Sequence, residues 1–471
     1  MKKSPVNIVI LGAGPSGLGA GYEFSKHQQP VTIFDTHKII GGLARTIKFK
    51  GNLFDVGPHR FYTKDKTVLK LWEETLGTDF LHVPRLTRIY YRNRFFDYPI
   101  KAGNVLKNLG LFETGLMLLS YFWAMIAPKK KAISFEDWIS QKFGKKLYRT
   151  FFKTYTEKVW GVPCHEIDAR WAAQRIKGLN LTEVITNALM PKRAKVRSLI
   201  SEFRYPTKGA GMMYETMANN LVESGSKIYL EHRCQRINHT GQKINSIELL
   251  HKGQIVKVQI DKLLSSIPIT DFIKILNPLP EKAVIDAAKT LRYRDHITVN
   301  LIIKDRQPFP DNWIYVHSPE VKMARISNYN QFSHSMTTGP DLIAISCEYF
   351  CYRDDEIWKM KDEDLVKFAT QELEQLKLAQ STEVSEGFVI RELDSYPLYY
   401  LGYEDSFNVM KDYLLKFENL TLIGRAGMFK YNNMDHALLS GIYAARNEYG
   451  SNYDLWNINE DSDYLEEEKS K

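Results

Sequence analysis

The chain has little cysteine. Four residues (Cys164, Cys234, Cys347 and Cys351) are spread through 471, with no CxxC pair and no metal-ligand spacing. That excludes a disulfide framework and a structural zinc site, so no metal is expected and a reducing compartment follows. The chain also lacks an unbroken apolar run of the about twenty residues needed to span a bilayer. Met1-Lys2-Lys3-Ser4 leads straight into an apolar strand, so no signal peptide and a cytoplasmic address are expected. There is no low-complexity block. A net charge of +9 comes with no nucleic-acid recognition motif and no arginine–aromatic repeat, so no nucleic acid partner is expected. Two acidic partners fit that charge better, a phosphorylated substrate and an anionic membrane.

An apolar content of 44% and a charged content of 25% are globular values. At this length two or three lobes are expected rather than one core. The N-terminal stretch organises them. Val6, Ile8, Val9, Ile10 and Leu11 read as a buried parallel strand. Gly12-Ala13-Gly14-Pro15-Ser16-Gly17 follows as a GxGxxG turn opening a small-residue helix, and Val31–Phe34 is a second strand ending at Asp35. Gly12, Gly14 and Gly17 supply a tight turn, backbone approach to a pyrophosphate and close helix–strand packing. Pro15 and Ser16 begin the helix, whose free N–H groups suit phosphate oxygens. Asp35 is placed for a ribose hydroxyl. The pattern predicts a dinucleotide site, with NAD and FAD both open.

Gly41-Gly42-Leu43-Ala44-Arg45 and Phe54-Asp55-Val56-Gly57-Pro58-His59 come next. Strands are expected within 85–99 around a turn at Asn93-Arg94, and helices from about Val105 to Leu189. Inside the helical stretch, Thr114–Ala127 is uncharged and closes on Pro128-Lys129-Lys130-Lys131. A buried core helix is the expected reading. An interfacial helix with aromatic and lysine anchors is the alternative, with Lys192, Arg193, Lys195 and Arg197 on the same surface. Strands near Lys227–Leu230, Ser246–Leu250 and Leu263–Pro268 return to the α/β unit, which is therefore discontinuous. Ile297–Ile303 and Leu342–Cys347 build a second sheet. Leu420–Leu422 runs into a glycine turn and a helix over about 435–448, and the charged tail 460–471 is expected to fray.

GG-L-A-R after a dinucleotide fold resembles the second flavin contact of the amine oxidase and glutathione reductase-type flavoproteins. More of the chain resembles the UDP-galactopyranose mutases, especially the eukaryotic type. The likeness runs through Ser134–Trp138, Lys158–Pro163, Trp171–Arg175, Phe203–Gly211, Trp313–Arg325, Tyr396-Pro397 and Gly424–Tyr431. The resemblance implies an α/β fold: a Rossmann-like FAD-binding domain with an inserted helical domain and an antiparallel-sheet substrate domain. FAD-binding parts would occupy 1–84, 205–290 and 391–458. Sheet strands and the helical insertion would fill 85–204, the substrate sheet 291–390, and a charged tail 459–471.

In that family reduced flavin attacks the anomeric carbon of a sugar diphosphate through N5. The sugar ring opens and recloses in the other ring size, and the nucleotide returns. By match, Arg175 and Arg325 would clamp the diphosphate, and Tyr396 and Tyr431 would add phenol hydrogen bonds. His59 and Gly57 would lie beside the flavin, and Trp313 would ride on a mobile flap. Gly42, Leu43, Arg45, Gly424, Arg425 and Met434 would complete the FAD site, with NADPH or NADH as reductant. Lys101 stands where the family has a glutamine contacting uracil, and Thr156 where it has an asparagine. These departures and the apolar run together point to another activated sugar, nucleotide- or lipid-linked, handled in the cytoplasm at the inner membrane face. The competing reading is an FAD oxidoreductase of the protoporphyrinogen oxidase, phytoene desaturase or amine oxidase kind. Nothing in the sequence sets an oligomeric state.

Overall fold

The computed structural model describes residues 6–176, 201–304 and 309–458. The basic run 192–197 and the tail 459–471 lie outside the described residues.

A parallel sheet holds the N-terminal strand at its centre. In spatial order its strands are Leu420–Leu422, Lys262–Ser265, Ile8–Leu11, Thr32–Phe34 and Lys227–Tyr229. Val9 faces both Leu263 and Thr32 in register. Three separated stretches of chain therefore complete one sheet, as the returning α/β pattern implied. The apolar run at the start of the chain is buried on both sides, because successive residues point to opposite faces. Ile8 and Ile10 join Leu18, Phe24, Met217 and Ile442 under the helices Pro15–Lys26, Gly211–Glu223 and Met434–Asn447. Val9 and Leu11 join Ile237, Ile247 and Phe272 on the other side. There the four strands Gln254–Gln259, Lys243–His251, Arg233–Thr240 and Leu276–Asn277 form a covering sheet. Of these four, the sequence pattern predicts just the strand near Ser246–Leu250.

The second large sheet has seven strands: Val384–Pro397, Tyr293–Lys304, Leu342–Cys351, Arg325–Asn328, Trp313–Val316, Thr87–Tyr91 and Arg94–Asp97. It is antiparallel except where Trp313–Val316 lies parallel to Thr87–Tyr91. The hairpin expected within 85–99 thus forms its far edge, turning at Arg92 and Asn93, both at positive φ. The strand Val384–Pro397 crosses the expected boundary at residue 390, because its pairing with Tyr293–Lys304 continues to Pro397.

The helical insertion comprises Ala102–Ile126, Phe135–Phe143, Lys145–Tyr148, Thr154–Trp160 and Ala169–Ile176. Ser134 and Asp137 cap Phe135–Phe143 reciprocally, which fixes its start after the lysine run. The expectation of a buried core helix over Thr114–Ala127 is overturned. Met117, Tyr121 and Ala124 are buried, whereas Leu119, Phe122, Trp123, Met125 and Ile126 are exposed. The run is apolar all round but has protein on one side alone.

The first and last helices cross closely enough that a Cβ on Gly441 would stand 1.9 Å from the Ser16 carbonyl oxygen. Alanine at an ordinary helical glycine gains up to about 1 kcal/mol of propensity. Here overpacking should win. Gly441→Ala is expected to lower the unfolding free energy by about 1–3 kcal/mol, read from urea melts of the holoprotein. A stabilised variant would show that the two helices stand further apart.

Candidate active site

The glycine turn is built for a ligand's backbone contacts. Gly12 has φ 109°, and a Cβ on Gly17 would collide with the Gly12 carbonyl at 1.9 Å. Pro15 and Ser16 start the helix immediately beyond. The second motif docks on this turn: Gly41 N–H donates to the Ala13 carbonyl at 3.0 Å, and a Cβ on Gly42 would stand 3.1 Å from Gly14 Cα. Asp35 is buried and accepts from Ala13 N at 2.7 Å and from His37 N at 2.8 Å. Burial works to raise its carboxyl, but the bonds from His37 and Ala13 more than offset that and hold it below the ordinary value. A turn packed too closely for side chains, opening a helix and standing beside an ionised carboxylate, fits the ADP half of a dinucleotide.

The other expected cofactor residues surround this cradle with different partners. Arg45 is buried, donates to the Gly42 carbonyl at 2.7 Å, and forms an ion pair with Glu392 of the seven-stranded sheet. It thereby ties the second glycine motif to the strand that carries Tyr396. Leu43 is half-buried in the single turn Gly42–Ala44. Gly424 N–H donates to Ser440 Oγ at 2.9 Å, and half-buried Met434 opens the last helix.

The turn Phe54–His59 leads from the cradle to the second sheet. A Cβ on Gly57 would lie 3.2 Å from Glu348 Oε2 and 3.6 Å from Arg325 Nη2. His59 Nδ1 lies 3.0 Å from the Gly57 carbonyl. Burial first, and the positive charge of Arg425 second, push its imidazole down to about 4, so it is neutral at physiological pH.

Tyr396 and Tyr431 do come together, with ring centroids 5.4 Å apart. The Arg425 guanidinium sits 5.1 Å from the first ring centre and 5.0 Å from the second. Its Nε and Nη2 donate to the Asn432 carbonyl at 2.9 and 2.7 Å, and Nη1 to the Ser395 carbonyl at 3.2 Å. Trp160 stands edge-on to both tyrosines, at 6.3 and 6.1 Å. Burial, then the neighbouring Tyr431, raises the Tyr396 phenol, which therefore stays a hydrogen-bond donor.

Arg325, expected to clamp a diphosphate, is paired with a carboxylate in the structure. Nε and Nη2 donate to the two oxygens of Glu348 at 2.6 and 2.5 Å, a bidentate pair between directly opposed residues of neighbouring strands. Glu348 is fully buried, and Oε2 also lies 3.0 Å from His296 Nε2 on the next strand. Burial alone would raise the Glu348 carboxyl. Arg325 and His296 outweigh it and hold the group down to about 2. Among the described residues Nη1 is the part of the Arg325 fork with no protein partner. Tyr155 feels Arg325, Glu348 and Tyr431 electrostatically and so borders the same space.

Trp313 is also corrected. It lies in a strand paired on both sides, 3% exposed, against Phe203 and Phe332. A residue so enclosed does not ride on a flap. Arg175 ends the helix Ala169–Ile176, and its side chain lies outside the described residues. Lys101 is exposed beside Asp97, at 3.4 Å, and Thr156 is buried in Thr154–Trp160. Sequence reading missed Glu348 and His296. The available signal was a lone carboxylate inside the apolar strand Leu342–Cys351, which demands a buried cation.

Removing that carboxylate should cost stability. Glu348→Gln is expected to destabilise the folded chain at pH 7 by about 3–5 kcal/mol, since it strands a largely buried guanidinium. The pair's contribution is complete above the unfolded glutamate value of about 4.3 and fades as pH falls towards 2. In denaturant melts the gap between the two proteins should therefore stay constant from pH 7 to about 5 and narrow as pH falls from there to about 3. Parallel curves would mean that Glu348 is not the ionised partner.

Comparison with known proteins agrees with this architecture. The family model "Flavin containing amine oxidoreductase" matches residues 15–447. A solved structure of reduced UDP-galactopyranose mutase superposes with a TM-score of 0.84 at 17% identity, covering 98% of this chain and 97% of that one. A "Probable UDP-galactopyranose mutase" of Klebsiella pneumoniae is 28% identical over 35% of this chain and 43% of its own length. A 4,4'-diapophytoene desaturase of Methylomonas sp is 50% identical over 11% of this chain and 10% of its own. The chain thus matches less than half the length of these two relatives. With the family model spanning nearly its whole length, the chain belongs to the flavin-containing amine oxidoreductase family, and the cofactor its glycine cradle fits is FAD.

Proposed function

We propose that the chain is a flavin-dependent sugar mutase that interconverts pyranose and furanose forms of a diphosphate-activated sugar. The observation that carries this reading is the grouping of Arg425, Tyr396, Tyr431 and the Arg325 fork at one end of the seven-stranded sheet, beside His59. Bound in reduced form, FAD would supply the nucleophile for the anomeric carbon. The chain's own part is to receive the departing diphosphate. Arg425 is fixed by two carbonyls before any ligand arrives, so its charge is preorganised where negative charge develops. The Tyr396 and Tyr431 phenols donate to the same oxygens. Neutral His59 adds no charge of its own and orients through the Gly57 carbonyl. Arg325, neutralised by Glu348, contributes a directed N–H rather than a net charge. NADPH or NADH would keep the flavin reduced.

Family membership and the desaturase relative favour a second reading, an FAD oxidoreductase. Stoichiometry separates them. Dithionite-reduced holoenzyme, given a panel of nucleoside-diphosphate sugars, is expected to change the ring size of one of them over many turnovers without consuming reductant. One equivalent of an electron acceptor consumed per product would overturn the mutase. Tyr396→Phe and Tyr431→Phe should each lower kcat/KM by about 10–100-fold, the worth of a hydrogen bond to a charged group, while keeping the flavin spectrum. Unchanged kcat/KM in both would remove the phenols from the reaction.

A further inference from the structure

The helix Ala102–Ile126 turns its apolar side outward. Leu111, Phe112, Leu119, Phe122, Trp123 and Ile126 are 53–82% exposed. At 3.6 residues per turn these six share about 120° of arc. Met117, Tyr121 and Ala124, which are buried, occupy the opposite side. No charged residue interrupts Thr114–Ala127. An exposed apolar face of this size marks an interaction surface.

The helix is long and apolar enough to cross a membrane by length and composition. Its attachments point to another orientation. Gly110 (φ 82°, ψ 172°) kinks it, leaving Leu111–Ile126, which is about 24 Å long at 1.5 Å per residue, short of a hydrocarbon core of about 30 Å. It is also fastened along its length to the protein. Asn108 Nδ2 donates to the Phe95 carbonyl at 2.7 Å, and Ser120 Oγ accepts from Lys146 N at 3.1 Å. Glu113 pairs with Lys146 at 2.7 Å. A helix tied down along one side lies on a surface and does not cross it.

Charge identifies the surface. Lys129 caps the helix, donating to the Ala124 and Gln141 carbonyls at 2.9 and 2.6 Å. Lys130 and Lys131 follow, exposed, with Ile133 62% exposed just beyond. An apolar face with aromatics and a lysine cluster at one end matches the depth profile of a bilayer with anionic headgroups. Two copies of this chain would instead bring their lysines and net charges of +9 together. We propose that this face docks on an anionic lipid bilayer, the helix lying in the interface plane with Phe122 and Trp123 at the acyl boundary and Lys130 and Lys131 among the headgroups. The inference stands independently of the reaction assigned to the site.

The test is flotation of the full-length holoprotein with vesicles of equal phosphatidylcholine and phosphatidylglycerol, against phosphatidylcholine alone. The protein is expected to float with the anionic vesicles and at least tenfold less with the neutral ones. Leu119→Gln/Phe122→Gln/Trp123→Gln should abolish flotation, and Lys130→Glu/Lys131→Glu should weaken it tenfold or more. Retained flavin absorbance and an unchanged melting temperature report that both variants fold. A wild-type protein that stays soluble with anionic vesicles would overturn the proposal, as would a triple variant that floats like it. So would a wild-type dimer in sedimentation that the triple variant converts to monomer, since the occupant would then be a second copy.

Discussion

A carboxylate with no exposure to water lies in the middle of the seven-stranded sheet, and much of the site's geometry is arranged around it. Leaving Glu348 charged and unpaired there would cost several kcal/mol. Both partners come from adjacent strands, Arg325 from one side and His296 from the other. Strand register is therefore not free. A slip of one residue would turn Glu348 to the opposite face and strand all three groups. The pair also sets where the Phe54–His59 turn can run, because a Cβ at Gly57 would press on Glu348 Oε2.

This neutralisation divides the work among the arginines. Arg325 and Glu348 together carry no net charge, so among the described residues of this grouping the positive charge is that of Arg425, held between two tyrosine rings by backbone carbonyls. A guanidinium held by two carbonyls keeps its full charge but has little freedom to swing, which suits an electrostatic role better than a grasping one. Tyr396 shares a strand with Glu392, and Glu392 pairs with Arg45 beside the glycine cradle. The cofactor lobe and the second sheet are thus joined by a buried ion pair four residues from a candidate site tyrosine.

What could be read in the sequence follows the range of the interactions concerned. The glycine turn, Asp35 and the discontinuous parallel sheet were legible, since short apolar strands and turn glycines act within a few residues. The Tyr396/Tyr431 pairing was legible through resemblance alone, as 35 positions separate them. The pairing of Arg325 with Glu348 was not legible, because nothing local reveals that Glu348 lies directly opposite it across a strand pair. The enclosure of Trp313 was hidden for a similar reason: one of the strands beside it, Thr87–Tyr91, comes from a distant stretch. The strands Arg233–Thr240 and Gln254–Gln259 escaped notice because they are largely exposed, with polar residues that hide the alternation.

The helix Ala102–Ile126 shows the limit of composition most clearly. An uncharged run of leucine, methionine and aromatics reads equally well as core or as interface, and the difference lies in what covers its second side. Its inner side contributes Val105 and Met117 to a cluster with Phe96, Tyr148, Phe151 and Trp160, against which Tyr396 and Tyr431 also pack. The apolar face and the tyrosine pair are therefore two sides of one packed layer. Trp160 links that layer to the site, standing edge-on to both tyrosines in a close-packed interior.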